Sequence, residues 1–124
     1  MKTLNINQFD EKDEEIADTL ISLGMSRNVA MALSYLQNTN AARSVDLERA
    51  ARLRQPEVSI AMRQLKERGW ISERDEKKTG KGRPNKIYSL KVDFGEIINQ
   101  LEKQQRTSVD EVYAKIERLK ELGN

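Results

Sequence analysis

At 124 residues, with 37% hydrophobic and 34% charged side chains, the chain has room for one domain plus an appended helix or two around a modest core. Neither cysteine nor histidine occurs in it, so disulfides, structural zinc sites and Cys- or His-based nucleophile–base pairs are excluded. The net charge of +2 conceals a strong asymmetry: residues 1–42 balance to −3, residues 43–91 to +7 and residues 92–124 to −2.

The first helix is expected to start at Asp10 or Asp13, where Glu14 and Glu15 suit the positive helix end. Ile16, Leu20 and Leu23 give it one buried stripe, and Gly24 closes it. Ser26 caps a second helix with Val29, Ala30, Leu33 and Leu36 inward, running to the turn QNTN. Residues 41–44 form a link with one or two residues of strand. A third helix begins near Ser44, turns Leu47, Ala50 and Ala51 inward and stops around Leu53 and Arg54. The fourth has Gln55 in its cap region and Pro56 at its first position, where the missing N–H costs nothing. Val58, Met62 and Leu65 form its buried side, and Gly69 ends it. Two short helices joined by a tight turn are a helix-turn-helix.

A strand starts at Trp70, Ile71 and Ser72, and its partner runs from Lys86 to Leu90. Between them lies the basic loop DEKKTGKGRPNK, which after a helix-turn-helix reads as the wing of a winged helix. Tyr88 is expected to pack, near Trp70, rather than stack on a base, and Met25, Met31 and Met62 read as core filler. After Asp93, the residues Phe94, Ile97, Ile98 and Leu101 make another amphipathic helix. EKQQRTS then lacks apolar residues, and Ser108 with Glu111 has capping-box spacing. This favours two C-terminal helices breaking near Thr107 over one continuous helix. Val109, Val112, Ile116 and Leu119 are spaced as a heptad seam, with Tyr113 beside them.

The runs LISLGMSRNVAMALSYLQN and SVDLERAARLRQPEVSIAMRQLKERGWI resemble the DNA-binding domain of the archaeal TrmB family of transcription regulators, and more distantly MarR-type winged helices. The likeness covers about residues 16–91. It implies a mainly α fold with a small β-hairpin, a winged helix-turn-helix carrying a C-terminal dimerisation helix or helices. Larger TrmB proteins carry a C-terminal sugar-binding domain for which this chain leaves no room. Many relatives have glycine in the helix-turn-helix turn where this chain has Arg52.

With the buried side of the fourth helix fixed, steps of about 100° put Pro56, Ile60, Arg63 and Glu67 on its outer face, flanked by Glu57, Ser59 and Gln64. Arg63 suits guanine, Gln55 or Gln64 adenine, Ile60 a thymine methyl, and Ser59 a phosphate or base edge. In the wing, Gly80 and Gly82 allow close backbone approach, while Lys77, Lys78, Lys81 and Lys86 attract phosphates without regard to sequence. Arg83, in KGRP, is similar to the core of minor-groove AT-hook peptides. Arg43, Arg49, Arg52 and Arg54 would flank the groove.

The expected organisation is a winged helix-turn-helix domain over residues 1–91 and a helical dimerisation segment over residues 92–124. The expected function is sequence-specific binding of double-stranded DNA by a homodimeric transcription regulator, with base-reading residues on the helix 56–68 and the wing 75–86 on the backbone or minor groove. A sequence-neutral architectural DNA protein and a winged-helix subunit of a transcription assembly are the rivals. No phosphate-binding glycine motif is present and the acids are scattered, so no enzyme activity, cofactor or metal is expected. With no apolar run long enough for a membrane span and no apolar region near the N-terminus, the expected compartment is the cytoplasm.

Overall fold

A computed structural model describes residues 8–76 and 85–124. Among them the elements follow in the order α1 (Glu11–Ser22), α2 (Arg27–Asn38), β1 (Ala42–Arg43), α3 (Ser44–Ala50), α4 (Gln55–Glu67), β2 (Ile71–Asp75), β3 (Lys86–Leu90) and α5 (Phe94–Gly123). The chain divides into two compact units, Met1–Val92 and Asp93–Asn124.

Each helix of the helix-turn-helix begins with an acid that accepts a hydrogen bond from the residue before the helix. Asp46 Oδ2 accepts from the Arg43 N–H at 2.9 Å, and Glu57 Oε1 from the Arg54 N–H at 2.8 Å. In α1 the exchange is reciprocal. The Asp13 N–H donates to Asp10 Oδ1 at 2.9 Å while the Asp10 N–H donates to Asp13 Oδ2 at 3.1 Å, a capping box built from two aspartates.

The helix ends share a device as well. The Met25, Leu53 and Trp70 N–H groups donate to the carbonyls of Leu20, Glu48 and Leu65 at 3.1, 3.1 and 3.2 Å, the long bond of a Schellman motif. That motif requires a left-handed residue just past the helix. Gly24 (φ 102°) and Gly69 (φ 75°) supply it for α1 and α4, and Arg52 (φ 55°) supplies it for α3. The helix-turn-helix turn is therefore the expected one with an unexpected residue in it. Helix α3 ends at Ala50, before the predicted Leu53, because Arg52 has left the helical region.

Val29, Ala30, Leu33, Leu36, Leu47, Val58, Met62, Leu65, Trp70 and Tyr88 are buried in the core as predicted. Leu23 is not. As the C-cap of α1 it is 47% exposed, and the inward face of that helix is Asp13, Ala17 and Leu20. Asp13 is buried because α2 supplies its partners: Gln37 Nε2 donates to Oδ1 at 2.8 Å and Asn38 Nδ2 to Oδ2 at 2.5 Å, while Ser34 Oγ donates to the Asp13 carbonyl at 2.5 Å.

The predicted hairpin is present, and the one or two strand residues expected in the link 41–44 form β1. Strand β1 adds to the hairpin, giving an antiparallel sheet of order β1-β3-β2 with Ala42 opposite Tyr88 and Ile71 opposite Leu90. The helix-turn-helix is thus anchored to the wing by the residues that lead into α3. Arg68 lies over the Trp70 ring, 4.7 Å from its centroid, and covers the exit from α4.

Helix α5 is one helix of 30 residues, which corrects the expected break near Thr107. The segment 102–107 lacks apolar residues but consists mostly of Glu, Lys, Gln and Arg, all good helix formers, and Arg106 pairs with Glu102 one turn earlier at 2.9 Å. The Ser108 and Glu111 spacing therefore falls inside a helix and caps nothing. No helix among the described residues is long and apolar enough to cross a membrane.

Candidate nucleic-acid interface

Helix α4 presents its outer face as the spacing predicted. Val58, Ala61, Met62 and Leu65 are buried, whereas Gln55, Pro56, Ser59, Ile60, Arg63 and Gln64 are exposed. Ile60 is 47% exposed, a branched apolar side chain on an otherwise polar face. Pro56 is the second residue of the helix rather than the first, and Arg54, not Gln55, occupies the cap. Gln55 Nε2 donates to Ser59 Oγ at 3.2 Å across one turn, so these two polar groups form a single unit. Arg63 has no ion-pair partner among the described residues, and its guanidinium is left to solvent.

The other cations fall into two sets. Arg49, Arg52 and Arg74 are exposed without a carboxylate partner among the described residues. Arg54, whose side chain is 85% exposed, has its Nε 3.6 Å from Glu57, and that carboxyl is held below the usual range chiefly by the hydrogen bond from the Arg54 N–H. Arg43 and Lys86, both expected to contact DNA phosphate, are paired with acids in this structure. Arg43 Nε lies 3.3 Å from Asp46 and its Nη1 3.9 Å from Glu76. Lys86 Nζ lies 2.9 Å from Glu73 and 3.6 Å from Asp75. Lys66, at the end of α4, also reaches Glu73, at 2.6 Å. The two lysines draw the Glu73 carboxyl below its usual range, and Glu73 in turn raises the Lys86 ammonium. Lys77, Lys78, Lys81 and Arg83 lie outside the described residues.

The Glu73 pairs were missed by sequence reasoning. The signal was there only in part: alternation puts Glu73 and Asp75 on one face of β2, but the approach of Lys66 depends on how the strand meets the helix. On α5 the predicted seam is exposed, with Val109 at 48%, Val112 at 53%, Tyr113 at 64%, Ile116 at 41% and Leu119 at 67%. Among the described residues no group of three or more acids gathers where it could hold a metal ion.

A helix-turn-helix followed by an antiparallel wing defines the winged-helix fold. No protein-family model and no curated protein matches the chain. Solved structures do. The archaeal chromatin protein TrmBL2 aligns over 90% of this chain with a TM-score of 0.63 and 18% identity. The chain spans only 40% of the length of that protein. A protein of Methanosarcina mazei Go1, described as a possible transcriptional regulator, aligns over 95% of this chain and 98% of its own, with a TM-score of 0.65 and 14% identity. A MarR-family regulator from Silicibacter pomeroyi covers 82% of this chain and 66% of its own, with a TM-score of 0.52 and 20% identity. The chain shares the winged-helix fold of these structures, TrmBL2 among them.

Proposed function

We propose that the chain is a sequence-specific, double-stranded DNA-binding transcription regulator that acts as a homodimer. The observation that carries this reading is the outer face of α4, where Gln55, Ser59, Ile60, Arg63 and Gln64 are all exposed on the second helix of a helix-turn-helix. That helix enters the major groove in DNA-binding relatives of the motif. Its residue types match base edges: a free guanidinium for guanine, carboxamides for adenine, an apolar branch for a thymine methyl. The wing residues Lys77, Lys78, Lys81 and Arg83 then serve the backbone or minor groove, and Arg49, Arg52, Arg54 and Arg74 are exposed cations for further phosphate contacts.

Dimerisation rests on α5, where Val109 and Ile116 take a positions and Val112 and Leu119 take d positions of a heptad, an apolar seam of the kind that a second helix covers in a coiled coil. A dimer with a dyad reads two half-sites about one helical turn apart, so the operator is an inverted repeat.

A sequence-neutral architectural role is the second reading, supported by the likeness to TrmBL2, a chromatin protein. Selection of bound duplexes from a random pool at physiological salt separates the two. An enriched inverted repeat is expected. Retained DNA without a motif would establish the architectural role, and no retained DNA would mean that the basic surface meets a protein partner.

A further inference from the structure

Lys66 follows Ser59 by seven residues and Arg63 by three, so it leaves α4 on the same side as those two base-reading candidates. Lys86 stands at the base of the wing. A single carboxylate joins them: Glu73 Oε1 is 2.6 Å from Lys66 Nζ and Glu73 Oε2 is 2.9 Å from Lys86 Nζ. Each oxygen takes one ammonium, as two oxygens of a phosphodiester would. Both lysine side chains are more than half exposed, at 57% and 53%, whereas that of Glu73 is 23% exposed and is held in the seam between helix and strand.

We propose that Glu73 is an internal competitor for DNA phosphate, occupying Lys66 and Lys86 in the free protein and limiting the affinity and salt dependence of DNA binding. The inference rests on the DNA-binding reading above. Each phosphate that a lysine neutralises releases condensed counterions from the DNA and steepens the dependence of log K on log salt by about 0.9, and a lysine held by its own protein's carboxylate neutralises little phosphate. With Glu73 in place the two lysines contribute little of this. Asp75, 3.6 Å from Lys86, reinforces the arrangement on the wing side only.

Glu73→Gln keeps the shape of the side chain and removes the charge. Binding of wild type and variant to a fixed duplex is measured across a salt series, with thermal unfolding as the check on folding. The variant is expected to bind several-fold more tightly at low salt, with a slope steeper by about 0.9 for each lysine released. The gain should be equal on cognate and unrelated duplexes, because phosphates carry no sequence. Lys66→Gln should cost little in the wild-type background and abolish much of the gain in the Glu73→Gln background, a coupling that a double-mutant cycle reads directly. Unchanged or weaker binding by Glu73→Gln, with an unchanged slope, overturns the proposal and leaves the DNA reading intact. If wild type and variant both fail to bind any duplex, the DNA reading fails and this inference falls with it.

Discussion

Arg63 and Arg52 are both exposed arginines of the helix-turn-helix, yet they answer different physical demands. Arg63 is placed by angle alone, opposite the buried side of α4, and its position was legible from the spacing of Val58, Met62 and Leu65. Replacing it by alanine should weaken binding to a selected operator by roughly 1–3 kcal/mol and relax the preference at one base pair, measured by titration against single-base variants of the site. An equal loss on every duplex would reduce Arg63 to a phosphate contact. Arg52 is placed by backbone conformation. The resemblance to winged-helix families implied glycine in this turn, and the φ of 55° at Arg52 is the left-handed conformation that glycine adopts readily. A left-handed conformation costs a non-glycine residue about 1–2 kcal/mol, and glycine brings back an entropic penalty of roughly 0.5–1. Arg52→Gly should therefore stabilise the fold by about 0.5–1 kcal/mol, visible as a higher midpoint in urea unfolding at unchanged slope. Glu73, by contrast, could not be placed from the sequence, because its two lysines come from elements whose approach no local pattern encodes.

The starts of α1, α3 and α4 and the ends of α1 and α4 were legible because those depend on local chemistry: an acid at the third position and a left-handed glycine after the end. What escaped was the content of one interface. Acids are expected on helix surfaces, so a stripe of Ile16, Leu20 and Leu23 was the natural choice for α1. The buried side is Asp13, Ala17 and Leu20 because Gln37 and Asn38, 24 and 25 residues further along in α2, donate to the Asp13 carboxylate. Burial raises the Asp13 carboxyl above its ordinary value, outweighing the hydrogen bonds that lower it. The folded protein thus holds that proton more tightly than the unfolded chain does. The associated stability is present below about pH 4 and is lost as the pH rises through the raised value. Asp13→Asn removes the ionisation along with part of the bonding. The stability advantage of wild type over this variant should shrink as the pH rises above about 4, followed by denaturant unfolding at each pH. A constant difference would mean that Asp13 titrates alike in both states.

For the whole molecule, charge and apolar surface are segregated along the chain. The surplus of positive charge lies in residues 43–91, and the exposed apolar residues of α5 lie in a segment with a balance of −2. This division was readable from composition, since it needs no knowledge of packing. The continuity of α5 was not, because a polar helix interior and a polar loop look alike when no glycine or proline marks the difference. Ile116→Lys puts a charge in the heptad seam. It should leave a folded monomer in sedimentation equilibrium and weaken binding to an inverted repeat by roughly tenfold or more, through loss of the effective concentration that links the half-sites. A variant that remains dimeric would move the interface off this seam.

An unbroken α5 also acts as a torsion gauge. At 1.5 Å per residue its 30 residues span about 45 Å, and every side chain beyond residue 107 has its direction set by the residues before it. Ile98 lies on the line continued by Val112 and Leu119, fourteen and twenty-one residues on, whereas Ile97, the buried residue of the helix, lies off it. One residue inserted into the polar stretch would swing the seam by about 100°, while seven would return it to within about 20°. The stretch that looked like a linker is the part of the chain least free to change its length, although almost any helix-forming residue could stand at its positions.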